Sequence, residues 1–324
     1  MKSAKTLALA LFMLSLFAPT GAHARYPEKP VRIIVPYSVG GSSDAIARAI
    51  GDELGKALGQ VVIVENRAGA GSMQGTQYVA SEAADGYTLL LADVPFTIVP
   101  ALYKERARYD TRRDFAPVAL LGVAPMYLFV NADFAAKSAP DLTRMAKAAP
   151  GTVSIGSGGN GSLTHLMAEL FMTNTGTKLV HIPYKGAAAA ATDLASGQIN
   201  ASFSTMASAL SLYKAGRLRA IAVGSAQRRK DTPDVPTFTE NGIPNMAVES
   251  WWGLMMPAGT SLPVRDTMTA AMFKVMQSPN VKARLISVGV SAPADSSAAA
   301  LQGVINADLA RWQEVVQRAN IKLD

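Results

Sequence analysis

Two glycine- and serine-rich stretches are where this sequence can do chemistry. Pro36-Tyr37-Ser38-Val39-Gly40-Gly41-Ser42-Ser43-Asp44 follows a β-branched run and opens a helical period. Ser154-Ile155-Gly156-Ser157-Gly158-Gly159-Asn160-Gly161-Ser162 repeats that arrangement further along. Glycine lets the backbone turn sharply and leaves N–H groups open. A helix N-terminus adds unpaired donors and a partial positive charge, so such a loop attracts an anion such as a carboxylate. Ser38, Ser42 and Ser43 supply further hydroxyl donors, and Ser42 or Ser43 also suits an N-cap with Asp44 in the first turn. Asp44 fills part of the same field, which argues against a highly charged ligand such as phosphate. In the second stretch four glycines converge with Ser157, Asn160 and Ser162 at one strand end. Facing each other across a cleft, the two loops would hold one small anion from both sides. Asp93, ending a third strand, is an ionisable group near the same edge.

Other chemistries fail on spacing. Neither loop continues into Gly-Lys-Ser/Thr, so no P-loop is present. Gly69-Ala70-Gly71-Ser72-Met73-Gln74-Gly75 resembles a dinucleotide fingerprint with its third glycine one position late, and reads as a turn into a helix. No Gly-x-Ser-x-Gly elbow surrounds Ser157 or Ser162. The chain has 0 cysteines and 3 histidines, which removes thiolate chemistry, Cys-based zinc sites and iron–sulfur clusters. His165 and Glu169 share a helix face, but two ligands make a poor metal site. His165 reads better as orienting the glycine loop or touching a ligand, and His181 as structural. No cofactor or metal is expected. Among the aromatics, Tyr37, Phe96, Tyr184, Trp251 and Trp252 fall near element ends. One of the adjacent tryptophans is expected to face the cleft while the other packs in the core.

The elements that must position these loops alternate along the chain. Strands are predicted over 31–35, 61–64, 87–91, 126–130, 152–156, 179–182, 201–204 and 218–223, with an extended run over 247–255. Helices are predicted over 44–58, 73–81, 140–148, 163–173, 187–196, 263–276, 279–288 and 296–319. This order argues for an α/β architecture in which helices cover both faces of mainly parallel sheets. The boundaries fall near 122–125 and 224–231, so residues 25–123 and 227–324 form one lobe and 124–226 the other. Two crossover linkers suit a hinge with a cleft between the lobes.

The chain has 324 residues, 49% hydrophobic and 17% charged, enough for two packed lobes. At its start, Lys2 and Lys5 precede the apolar run from Leu7 to Ala18, and Ala22-His23-Ala24 follows. This is the pattern of a secretory signal peptide over residues 1–24, cleaved between Ala24 and Arg25. The apolar run is shorter than the ~20 residues of a spanning helix. The mature chain then has 300 residues, and loss of the two lysines lowers its charge from +7 to +5. The basic clusters Arg112-Arg113 and Arg228-Arg229-Lys230 are short and lack interleaved aromatics, which disfavours nucleic acid as a partner.

Several segments together resemble one family. Tyr-Pro-Glu-Lys-Pro-Val-Arg-Ile-Ile-Val-Pro-Tyr (26–37), Gly-Gly-Ser-Ser-Asp (40–44), Gly-Gln-Val-Val-Ile-Val-Glu-Asn-Arg-Ala-Gly-Ala-Gly (59–71), Asp-Gly-Tyr-Thr-Leu-Leu (85–90), Pro-Tyr-Lys-Gly (183–186) and Trp-Gly-Leu-Met-Met-Pro-Ala-Gly-Thr (252–260) are among them. The chain resembles the Bug solute-binding proteins, periplasmic receptors of tripartite tricarboxylate transporters. The resemblance implies a two-lobed Venus-flytrap fold of the type II periplasmic class. It implies capture of a small carboxylated solute by backbone N–H groups, hydroxyls and water, and delivery by a monomeric receptor to membrane permease subunits. By motif position it implies first-lobe contacts from Tyr37, Ser38, Gly40, Gly41 and Ser42, with Asp44 beside them. Second-lobe contacts are Ser157, Gly158, Asn160, Ser162 and His165, and Tyr184 and Ser204 line the cleft.

Two departures stand out. Tyr37 and Val39 replace the Phe and Pro of the family's Phe-x-Pro-Gly-Gly. Asp93 stands where small or uncharged residues are usual, and is expected to face the cleft, where it would bind a donor group or repel a second carboxylate. A non-enzymatic exported receptor is the leading reading. The alternatives are an accessory protein reporting solute to a two-component kinase, and an exported hydrolase using Ser157 or His165.

Overall fold

The computed structural model describes residues 26–37, 39–40, 42–103, 106–184 and 186–318. The expected signal peptide with its Ala24–Arg25 junction, together with Ser38 and Gly41 of the first loop, lies outside the described residues.

The strands are β1 (Val31–Val35), β2 (Val62–Asn66), β3 (Thr88–Asp93), β4 (Phe115–Asn131), β5 (Ser154–Ser157), β6 (Val180–Pro183), β7 (Ala201–Thr205), β8 (Leu218–Val223) and β9 (Glu249–Pro257). The helices are α1 (Ser42–Leu58), α2 (Met73–Ser81), α3 (Pro95–Leu102), α4 (Ala139–Ala148), α5 (Leu163–Thr175), α6 (Ala187–Ala195), α7 (Met206–Lys214), α8 (Leu262–Gln277), α9 (Pro279–Ser287) and α10 (Ala298–Arg318). Strand order is β2-β1-β3-β9-β4-β7-β5-β6, with β8 on β4. The long β4 belongs to two sheets. Its first half pairs antiparallel with β9 as far as Pro125 opposite Glu249. From Met126 and Tyr127 it pairs with β7 and β8 instead. On either side the sheets are parallel, β1 with β2 and β3, and β5 with β6 and β7.

Burial on both faces explains the near-continuous apolar strands. Successive residues of β9 point to opposite faces. Trp251 and Met255 join one core cluster, and Trp252, Leu254 and Met256 the other. On β3, Leu90 and Ala92 join the first cluster, Leu89 and Leu91 the second. The first cluster runs on through Leu128 and Phe203 into the second half, where α5 contributes Leu166 and Phe171.

The structure adds two helices to the elements read from sequence and lengthens one strand. The helices α3 and α7 were not expected, and β4 extends eleven residues ahead of the predicted start at Met126. The first half of β4 contains Pro117 and Pro125, which argue against a central strand. Register shifts at Pro117/Ala119 and Leu120/Gly122 absorb the disruption.

The chain leaves the β7–β8 sheet at Gly224. Its N–H donates to the Met126 carbonyl at 2.7 Å. A Cβ there would lie 2.8 Å from the Met246 carbonyl oxygen, 3.0 Å from that of Val248 and 3.1 Å from that of Met126. All three are backbone atoms of strand-bound segments and have little room to retreat. Gly224→Ala is therefore expected to cost about 1–3 kcal/mol, read as a lowered denaturation midpoint. An unchanged midpoint would show that this crossing yields.

Candidate ligand-binding site

A cleft of about 590 Å³ lies where the two sheets meet. Its walls follow from the topology, because parallel strands deliver the N-termini of their following helices to one edge. Five helices, among the described residues, begin there. Ser42 and Ser43 open α1, Pro95 opens α3, Leu163 and Thr164 open α5, Ala187 and Ala188 open α6, and Thr205 precedes α7. Three of these ends have no side-chain cap: Val94 before α3 and Thr205 before α7 make no capping bond, and Gly186 before α6 has no side chain. Their first-turn N–H groups lack intrahelical acceptors, and their partial positive charges add at the cleft. Among the described residues the lining contains no Lys, Arg or His. Attraction for an anion here comes from dipoles and hydroxyls.

The first loop spends part of its own field. Asp44 accepts the Gly40 N–H at 3.1 Å and binds Arg48 through both carboxylate oxygens, at 2.9 and 3.0 Å. Its side chain is buried and absent from the cleft lining. Burial is the largest single effect and raises its carboxyl, but Arg48, the Gly40 N–H and Asn66 together outweigh it and hold the carboxyl below the ordinary range. Tyr37, Gly40 and Ser42 do line the cleft. Asp93 lines it as well, at the end of β3 and opposite Trp252 of β9. The Tyr37 hydroxyl donates to Asp93 Oδ1 at 2.7 Å, and the nearby Ser43 hydroxyl helps to lower that carboxyl. Trp252 lines the cleft and donates its indole N–H to Ser43 Oγ at 3.0 Å. Trp251 points the other way, into the core, and donates to Asp308 Oδ2 at 2.7 Å.

The second loop is mostly bonded to itself. Ser162 caps α5 by accepting the His165 N–H and donates to the Gly159 carbonyl at 2.7 Å. The Gly158 N–H donates to Thr164 Oγ1 at 2.7 Å, the Gly159 N–H to Ser157 Oγ at 3.1 Å, and the Gly161 N–H to His165 Nδ1 at 3.1 Å. Gly158 and Ser162 line the cleft. Ser157, Asn160, His165, Tyr184 and Ser204 do not. Asn160 is exposed, and Tyr184 packs under Gly156. Ser204 is buried with its hydroxyl unpartnered. His165 stacks on His181 with ring centroids 4.0 Å apart, and His181 Nε2 lies 2.6 Å from Ser157 Oγ. Burial, and secondarily His165, push His181 down to about 4, so the imidazole is neutral at physiological pH. The sequence offered no base for Ser157, and the fold supplies one. Ser157 is nevertheless fully buried, and the neighbouring carboxylate, Glu169, lies by His165 at 3.5 Å.

Sequence reasoning missed the contributions of Pro95, Ala187, Ala188, Thr205, Ser208 and Ser250. The α6 end was legible, since a helix from Ala187 directly follows a strand and Gly186. The α3 and α7 ends were hidden with their helices.

The model of the tripartite tricarboxylate transporter family receptor matches residues 46–321. The chain belongs to this family. BugT of Bordetella pertussis (strain Tohama I) is 35% identical over 312 residues, 94% of this chain and 94% of BugT. Among solved structures, an R. palustris protein with adipate is 30% identical with a TM-score of 0.83, covering 92% of this chain and 99% of the other. MatC from Rhodopseudomonas palustris with bound malate is 28% identical with a TM-score of 0.81, covering 90% and 100%. The tripartite tricarboxylate transporter receptor thus has the two-lobed periplasmic binding-protein fold, and its family consists of periplasmic solute-binding receptors. β4 is shared between its two sheets. Among the described residues no helix is long and apolar enough to cross a membrane.

Proposed function

We propose that this receptor captures a small carboxylated solute in the interlobe cleft and presents it, as a monomer, to membrane permease subunits. The observation behind this reading is the convergence of five helix N-termini from both sides on a cleft whose described lining holds no cation. Such a site favours a carboxylate without the desolvation cost of a buried Arg or Lys. The malate and adipate bound by its relatives agree with it. Tyr37, Gly40, Ser42, Gly158 and Ser162 are the contacts the cleft lining supports, with Ser38 and Gly41 carried by motif position alone. Asp44, Ser157 and His165 act behind them by shaping the loops.

The lobes divide as residues 25–123 with 227–324, and 124–226. The switch of β4 partners at Pro125–Met126 and the crossing at Gly224 support that division. Closure of the lobes over a solute creates the surface the permease reads. The receptor is exported after cleavage between Ala24 and Arg25 and is not an enzyme. The inaccessible Ser157 supports the last point.

A thermal-shift and calorimetric panel of carboxylates and their amides tests the reading on the mature protein. At one hundred times Kd a true ligand stabilises by about 2.7 kcal/mol. A panel in which only compounds lacking a carboxylate stabilise would overturn it, and turnover of any hit would restore the hydrolase.

A further inference from the structure

Asp93 is out of place in an anion site. It is the one carboxylate among the described lining residues. The Tyr37 hydroxyl donates to its Oδ1, and no ion pair with it occurs among the described residues. Ser43, anchored by Trp252, lies nearby, so the carboxylate sits among the β1–α1 loop, α1 and β9 with one direct hydrogen bond, from Tyr37. A fixed acceptor of this kind repels a solute carboxylate placed beside it and attracts a donor or cation. The uncapped ends of α6 and α7 belong to the opposite lobe, whereas the uncapped end of α3, beside Asp93, opens on Pro95, which has no N–H to offer a carboxylate. The closed cleft therefore has a carboxylate-binding wall and a wall that demands hydrogen-bond donors.

We propose that Asp93 is a specificity-determining residue, selecting solutes that carry a carboxylate at one end and an ammonium or amide group at the other over dicarboxylates of the same length. This rests on the carboxylate reading of the cleft and narrows it. The Tyr37 hydroxyl occupies Asp93 Oδ1 and leaves Oδ2 for the solute. Burial raises the Asp93 carboxyl to about 7. The groups facing it are Tyr37 and Tyr109, both neutral at that pH, with Ser43 and Trp252. Ionisation through this range favours an ammonium group and disfavours a second carboxylate.

The test compares the mature receptor with Asp93→Asn, which keeps the size and one acceptor oxygen for Tyr37 but removes the charge and turns the other oxygen into a donor. The probes are matched sets: succinate, succinamate and 4-aminobutanoate, then adipate and 6-aminohexanoate, with butylamine and hexylamine as carboxylate-free controls. The native receptor is expected to bind an amino or amide acid at least ten-fold tighter than the dicarboxylate of equal length. Asp93→Asn should shrink that ratio at least ten-fold. From pH 6 to 8 the native preference should grow several-fold and that of the variant should stay flat. Carboxylates that bind with a preference indifferent to Asp93 would overturn the inference and leave the carboxylate reading intact. Amines that bind only the native protein, with no carboxylate bound, would uphold Asp93 and overturn the carboxylate reading. A panel in which nothing binds overturns both.

Discussion

Replacing Trp251 by alanine is expected to lower the unfolding free energy of the receptor by about 3–5 kcal/mol. Trp251 is 2% exposed and lies on β9, between β3 and β4, in the core cluster that runs across both sheets. Its loss removes one of the two largest fully buried side chains, the other being Trp312, and opens a cavity that its strand-bound neighbours cannot fill. It also removes the indole N–H from Asp308, whose buried carboxyl burial already raises above its ordinary range. Arg311 still reaches the other oxygen of Asp308, at 3.1 Å, but from a partly exposed position. The bond joins β9 to α10, so the variant loosens the C-terminal helix as well as the strand. Trp251→Phe separates the two contributions. It keeps most of the volume and loses only the donor, and should cost about 1–3 kcal/mol. Chemical denaturation monitored by circular dichroism measures both. A Trp251→Ala midpoint within a few tenths of a kcal/mol of native would show that β9 is not the spine described above.

That spine was only half legible in the sequence. β1 and β3 announce themselves as short, mostly apolar runs, and α1 and α10 by helical spacing, because burial on one or both faces writes a period into the chain. β4 does not, because Pro117, Gly122 and Pro125 interrupt the run that β9 pairs with. α3 hides for the related reason that Pro95 and Pro100 bracket it. The eight residues hold together because Pro95 sits at the first turn and the helix packs against β3 and α10. α7 is short and mixes serines with apolar residues at no clear period. All three sit at the junction of the lobes, where local rules give way to the needs of the site. The glycine loops showed the reverse pattern. Of the residues they pointed to, Gly40, Ser42, Gly158 and Ser162 line the cleft, while Ser157, Asn160, His165, Tyr184 and Ser204 stand outside its lining. Spacing alone says nothing about which way a side chain turns. The His165–His181 stack pairs residues from α5 and β6 that sequence reading treated separately.

Asp93 should make the unliganded receptor less stable as pH rises from about 4 to about 7. Its carboxyl titrates near 7 in the folded protein, because burial raises it more than the Tyr37 and Ser43 hydroxyls lower it, against 3.8 in an unstructured chain. Between those values the folded state holds a proton that the unfolded state has released. Stability then falls with pH. The effect is complete above the folded value and absent below the unfolded one, and amounts to on the order of 3 kcal/mol. Asp308 and Glu249, also raised by burial, add slope of the same sign. His181, pushed down to about 4, acts oppositely between about 4 and 6.5, since there the unfolded state is the one that binds the proton. Asp44, Glu82 and Glu240, lowered in the folded protein, also oppose it as the pH drops. The difference between native and Asp93→Asn isolates the one group. The variant should match the native receptor near pH 4 and exceed it increasingly toward pH 8. A difference that does not change with pH would show that the Asp93 carboxylate is already well solvated in the open cleft. A native receptor that keeps a destabilising charge in its cleft does so for what that charge meets on binding. An ammonium-bearing solute restores the missing partner, so the stabilisation it confers should grow over the same pH interval in which the empty protein weakens.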